Sequence, residues 1–200
     1  MILSGCSLLD AGAGAGGRGS SPDPETPIQD PVSERWYAPA EISQDPDGIA
    51  EHFPDLEVDT ATWVDGQFTD PGERAPLPAP DDYWWQTVMD VGQETAAQLA
   101  ADALAAVDES GAVDPEPLSG QESAMNAATG TRADDSVLQT VLIDQLDAEA
   151  GSCPDGWILV HDLIAAEDGG SLRATAEGMV ISVAAVCEGE GLLVVDTQRF

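Results

Sequence analysis

The residues of this chain with reach beyond packing are three cysteines, two histidines and a large excess of carboxylates. Cys153 and Cys187 have no C-x-x-C spacing. His52 and His161 fall at no ligand spacing to them, so the pattern assigns no metal site. Glu51-His52 lacks the second histidine of an H-E-x-x-H zinc motif. No G-x-S-x-G frames a serine that His161-Asp162 would activate. Asp45-x-Asp47-Gly48 and Asp65-Gly66 resemble pieces of a calcium loop, without its twelve-residue pattern and terminal Glu, and would support only weak surface cation binding. The run AGAGAGGRGS lacks the strand, helix and lysine of a phosphate loop. With 38 acids, paired carboxylates arise by necessity and do not identify a glycosidase. No catalytic residue and no cofactor is assigned, and the chain is expected not to be an enzyme.

The remaining cysteine sits in a more telling context. Leu3-Ser4-Gly5-Cys6 is an aliphatic residue, two small residues and a cysteine, followed at once by a small, polar run. This stretch resembles the lipobox of bacterial lipoproteins. Together with the Gly/Ser/Pro run, the lysine-free acidic composition and a terminal strand–Cys-x-G-x-G–strand hairpin, it resembles small secreted lipoproteins of high-GC Gram-positive bacteria. The resemblance implies lipidation at Cys6, attachment to the cell membrane on its extracytoplasmic face, and nothing catalytic. A secretory signal has an apolar region of about 7–15 residues. Residues 1–5 are therefore expected to be the remnant of a signal peptide that extends upstream of Met1.

The acidic, lysine-free composition reads as that of a high-GC genome or of adaptation to salt, ahead of an acidic binding device. Thirty-eight acids face six arginines and no lysine, for a net charge of −32. Such a surface repels nucleic acid and anionic headgroups, so no nucleic-acid partner is expected. No segment approaches the roughly 20 apolar residues of a membrane span, so the expected membrane contact is the lipid on Cys6. The partner, protein or small ligand, is not legible, and a monomer is expected.

Residues 6–31 read as a flexible, disordered lipid-anchored linker, stiffening toward Pro22, Pro24, Pro27 and Pro31. Residues 32–200 read as a single extracytoplasmic domain. Its first part, 32–80, is loop-rich, with turn signals at Asp45-Pro46-Asp47-Gly48 and a short strand from Thr60 to Val64. The part 81–150 reads as helical. Trp84, Val88, Val91, Thr95, Leu99 and Ala103 recur every three or four residues and predict a helix over 81–108. Gly92 inside it would cost about 1 kcal/mol. A second main helix is predicted over 134–150, with a short helical turn within 119–128. The part 153–200 reads as a β meander, with strands at 156–161, 172–176, 179–187 and 192–196 and a hairpin loop at Glu188-Gly189-Glu190-Gly191.

The fold class expected is therefore α+β, with two main helices packed on a small C-terminal antiparallel sheet. Cys153 precedes the first strand of the meander and Cys187 ends the strand entering the last hairpin. Antiparallel neighbours bring such positions together, so a disulfide is expected; the alternatives are two reduced thiols or a metal site. Trp36, Trp63, Trp84, Trp85 and Trp157 are assigned to the core ahead of a ligand surface. The function expected is that of a lipid-anchored cell-envelope lipoprotein with a non-enzymatic binding or structural role. One alternative is a ligand- or cation-binding module using a Trp-bearing helix over 82–91 and the acidic loops. Another is a cytosolic protein with a chance lipobox.

Overall fold

The computed structural model describes residues 23–73, 82–110, 116–119, 124–164 and 179–199. Cys6 and the predicted strand at 172–176 lie outside them. Eight strands of the described residues form one sheet: β1 (Ile28–Gln29), β2 (Trp36–Tyr37), β3 (Thr60–Gln67), β4 (Tyr83–Asp90), β5 (Arg132–Ala133), β6 (Trp157–Leu159), β7 (Met179–Cys187) and β8 (Leu192–Arg199). Their spatial order is β1-β2-β3-β4-β8-β7-β6-β5, and every pairing is antiparallel.

The expectation of two main helices on a small C-terminal sheet is thereby overturned. The sheet draws strands from both ends of the chain, and its centre is the β4–β8 pair. The predicted helix over 81–108 splits in two. Its first third is β4, YWWQTVMD, in which both faces are buried and period-2 alternation is therefore invisible. Aromatic and β-branched residues favour the pleated surface there. Gly92 has φ of 77°, which a helix of L-residues does not accommodate, and the Asp90 carboxylate accepts its N–H at 2.9 Å. Only then does α2 (Gln93–Ser110) begin. It buries Ala96, Leu99, Ala100, Ala103 and Val107, one helical face of mostly small side chains.

Two apolar clusters result, one on each face of the sheet. On one side α2, α1 (Pro46–Ala50) and α5 (His161–Ile164) cover Met89, Ala184, Val186, Leu193 and Val195. On the other, α3 (Asp135–Gln139) and α4 (Asp144–Ala150) cover Trp84, Val88, Val183, Ala185 and Val194. The predicted single helix over 134–150 is these two short helices with a break at 140–143. The predicted helical turn within 119–128 is a 3₁₀ turn at Ala124–Asn126. Of the linker expected over 6–31, residues 6–22 lie outside the described residues; within the rest, Ile28–Gln29 is the outermost strand and Asp30 is 1% exposed.

The C-terminal hairpin forms as expected. Met179–Cys187 and Leu192–Arg199 pair, with Cys187 opposite Leu192. Cys153 and Cys187 are disulfide-bonded, with Cα atoms 5.7 Å apart. The bond ties the end of β7 to the turn before β6, and both cysteines are buried. Asp135 locks that turn from the other side. Its carboxylate accepts the Cys153 N–H at 3.0 Å, the Ser152 hydroxyl at 2.7 Å and the Trp157 indole N–H at 2.9 Å.

A cross-link over a separation of 34 residues restricts the unfolded chain by about 3–4 kcal/mol. Cys153→Ala/Cys187→Ala is expected to lose stability of that order in urea titration, and reductant should destabilise the parent but not the variant. Equal midpoints for parent and variant would contradict the pairing.

Candidate functional site

The strands place one carboxylate where strands ordinarily carry apolar side chains. Asp196 lies in the middle of β8, 0% exposed, on the face covered by α3 and α4. An ionised carboxylate there is costly unless its oxygens are filled. Arg35 arrives from the segment before β2 and takes both: Nη1 donates to Oδ1, and Nη2 donates to Oδ2 at 3.1 Å. Gln86 on β4 donates its amide N–H to Oδ1 at 2.9 Å. The Ser182 hydroxyl donates to Oδ2. That last contact depends on a register shift: Ile181 faces Thr197 and Val183 faces Asp196, so Ser182 is the extra residue of a β-bulge.

Gln86 also explains the broken helix. Its amide N–H groups reach the Val141 carbonyl at 2.7 Å as well as Asp196, and its carbonyl oxygen accepts the Ile143 N–H at 3.0 Å. The backbone groups freed by ending α3 early are thus satisfied from the sheet. On the opposite side Asp30 binds the start of α4. One of its oxygens accepts the N–H groups of Val32 and Ser33 and the Ser33 hydroxyl, and the other accepts the Asp144 N–H at 2.9 Å.

Arg35 is held between aromatic rings. Its guanidinium carbon lies 5.2 Å from the Trp84 ring centroid and 5.3 Å from that of Phe68. Gly66 makes this approach possible. A Cβ there would lie 2.1 Å from the Trp36 carbonyl oxygen and 2.5 Å from Trp84.

Above the guanidinium opens a cleft of about 280 Å³. Arg35, Phe68 and Gln198 form its floor and one wall, and Ser33, Met125, Thr140 and Val141 form the rest. A second hollow, of about 590 Å³, lies between the start of α2 and the β7–β8 hairpin. It is lined by Arg132 and by two acids, Asp155 and Glu188, so its lining is acidic on balance, like the chain as a whole.

The residues singled out in the sequence are not brought together. Asp45 caps α1 by accepting the Asp47 N–H at 3.1 Å, while Asp65 and Gly66 lie on β3. Among the described residues no group of three or more His, Cys, Asp and Glu is placed to hold a metal ion. His52 stacks on Trp85 at 5.6 Å, and His161 begins α5. The idea of a Trp-bearing helix over 82–91 as a ligand surface is overturned, because this segment is β4 and its Trp84 and Trp85 are buried. Arg35, Gln86, Ser182, Asp196 and Gln198 are not among the residues the sequence singles out, and Phe68 reads there only as part of an apolar patch with Trp63 and Val64. The available signal was a glutamine and an aspartate inside the apolar runs YWWQTVMD and LLVVDTQ. No family model, no curated protein and no solved structure matches this chain.

Two carboxyls shift in opposite directions. Burial works to raise the Asp135 carboxyl, but the hydrogen bonds from Cys153, Ser152 and Trp157 outweigh it and hold it below the ordinary aspartate value. Burial, and then the charges of Asp144, Asp135 and Asp30, push Asp147 up.

Asp135, with its folded value depressed, contributes stability above the unfolded value of about 4, lost as pH falls through the folded value. Asp147, with its folded value raised, is penalised once ionised. Asp147→Asn should therefore exceed the parent in stability at pH 7 and lose that advantage below about pH 4. Asp135→Asn should be less stable than the parent at pH 7, converging with it in acid. Urea midpoints measured across pH check both signs.

Removing one partner of the buried pair leaves an uncompensated charge, so Asp196→Leu is expected to cost about 3–5 kcal/mol. Arg35→Met/Asp196→Leu should recover most of that loss. Additive losses in a double-mutant cycle would show that the two side chains are not coupled.

Proposed function

We propose that this chain is a lipid-anchored domain of the cell envelope, held on the extracytoplasmic face of the membrane through Cys6, with a non-enzymatic binding or structural role. The observation that carries the reading is the stretch Leu3-Ser4-Gly5-Cys6 followed by a Gly/Ser/Pro-rich run. The Cys153–Cys187 disulfide supports it, since such bonds persist in oxidising compartments. With those two cysteines paired, Cys6 is the one thiol left for modification. No helix of the described residues is long and apolar enough to cross a membrane, which fits attachment by a lipid. Arg35 and Gln86, both buried, each donate to the buried Asp196 carboxylate, as befits a structural role.

A second reading, that of an extracytoplasmic ligand-binding module, is favoured by the cleft over Arg35. It adds a task to the anchored domain and leaves the anchor as proposed.

Expression in a bacterium that processes lipoproteins tests the anchor. The parent is expected in the detergent phase and to take up a labelled fatty acid, and Cys6→Ser is expected in the aqueous phase without label. An unlabelled parent that partitions with Cys6→Ser would refute lipidation. Alkylation of the cells before lysis should find Cys153 and Cys187 oxidised; free thiols there would point to the cytosol.

A further inference from the structure

Five large apolar side chains are exposed among the described residues; two of them line one cleft, and two more neighbour its lining residues in register or in sequence. Phe68 is 37% and Met125 43% exposed, and both line it. Val180 stands directly across from the lining residue Gln198 in the β7–β8 register, and Val32 adjoins Ser33. Isolated exposed apolar residues need no explanation, but a set around one hollow marks a binding surface.

The charge inside this rim is the reverse of the chain's. The net charge is −32, yet among the described residues the cleft is lined by one charged residue, Arg35, and by no acid. Asp196 compensates the guanidinium at 0% exposure and does not line the cleft, whereas Arg35, 5% exposed, does. Asp196 uses two of the five guanidinium N–H donors. The Gln198 amide adds donors. The Ser33 and Thr140 hydroxyls have given their protons to Asp30 and to the Val137 carbonyl, so they offer acceptors only.

The walls are also fixed before any ligand arrives. Asp30 holds the Ser33 turn, Gln86 holds Val141, and two aromatic rings hold Arg35. A site organised in advance loses little entropy on binding. A volume of about 280 Å³ lies at the small end of the range of small-molecule pockets.

We infer that this cleft binds a small monocarboxylate with an apolar or aromatic body. The carboxylate lies on Arg35 and the Gln198 amide, and the body lies between Phe68 and Met125. The inference rests on the ligand-binding reading above and is independent of the lipid on Cys6.

Calorimetric titration of the full chain with benzoate, benzamide and benzylamine tests it. Benzoate is expected to bind saturably, at least about tenfold more tightly than benzamide, with no heat from benzylamine. Gln198→Ala and Phe68→Ala, both at the rim, should each weaken benzoate by about tenfold while circular dichroism stays unchanged. Arg35→Met/Asp196→Leu, which keeps the interior uncharged, should abolish the preference for benzoate over benzamide. Cys6→Ser should bind as the parent does, so a failure of lipidation and a failure of this site are read separately. No saturable benzoate heat up to about 10 mM, equal affinity for benzamide, or binding indifferent to the rim substitutions would each overturn the assignment.

Discussion

The structure turns on the Asp196 carboxylate. An unpaired charge at the centre of a sheet covered on both faces would cost several kcal/mol, and its demand is met by three side chains, those of Arg35, Gln86 and Ser182. Arg35 has to be brought across β3 and β4, which requires the segment from Ile28 to Tyr37 to pack at the sheet edge. Gly66 has to lack a side chain so that Trp84 and the Trp36 backbone fit there. Ser182 has to bulge from β7, and Gln86 has to stand between Asp196 and the α3–α4 break. Each is a local departure from regular structure, and each ends at the same two oxygens or beside the side chain that grips them.

A second set of ties organises the other half of that face. The disulfide joins β7 to the turn before β6, and Asp135 joins that same turn to α3. Covalent and hydrogen-bonded ties converge on a few residues around Cys153. The short β5 and β6 strands, of two and three residues, are held by these ties as much as by their own ladders. The acids near α4 show the opposing tendency. Asp147 is raised by burial and by Asp144, Asp135 and Asp30, so this face carries a mild electrostatic penalty alongside its well-satisfied groups.

The errors of sequence reading have a common origin. In β4 every residue from Trp84 to Met89 is buried, so spacings of three and four coincide with a continuous apolar run, and periodicity does not discriminate. Over 134–150 the apolar pattern continues through a point where the chain turns, because Val141, Leu142 and Ile143 remain buried in the break. Where one face meets a loop or a partner strand at a clear boundary, the reading held. Met179–Cys187 and its hairpin are the example, bounded by Glu188-Gly189-Glu190-Gly191 and filled with β-branched residues. The disulfide was legible for the same reason, since a hairpin and its neighbour fix which strand ends meet.

The sequence by itself determined the acidic, lysine-free character of the chain and the terminal hairpin, and it made a Cys153–Cys187 bond the expected pairing among alternatives that the structure then closed. These depend on composition and on contacts between neighbouring strands, which local spacing encodes. Only the tertiary structure decided that Tyr83–Asp90 is a strand beside β8, that Arg35 meets Asp196 across a separation of 161 residues, and that a positively lined cleft opens above them. Those outcomes follow from balancing a buried charge and covering both faces of a sheet. Neither requirement leaves a mark in local spacing, because the partners that satisfy it come from distant parts of the chain.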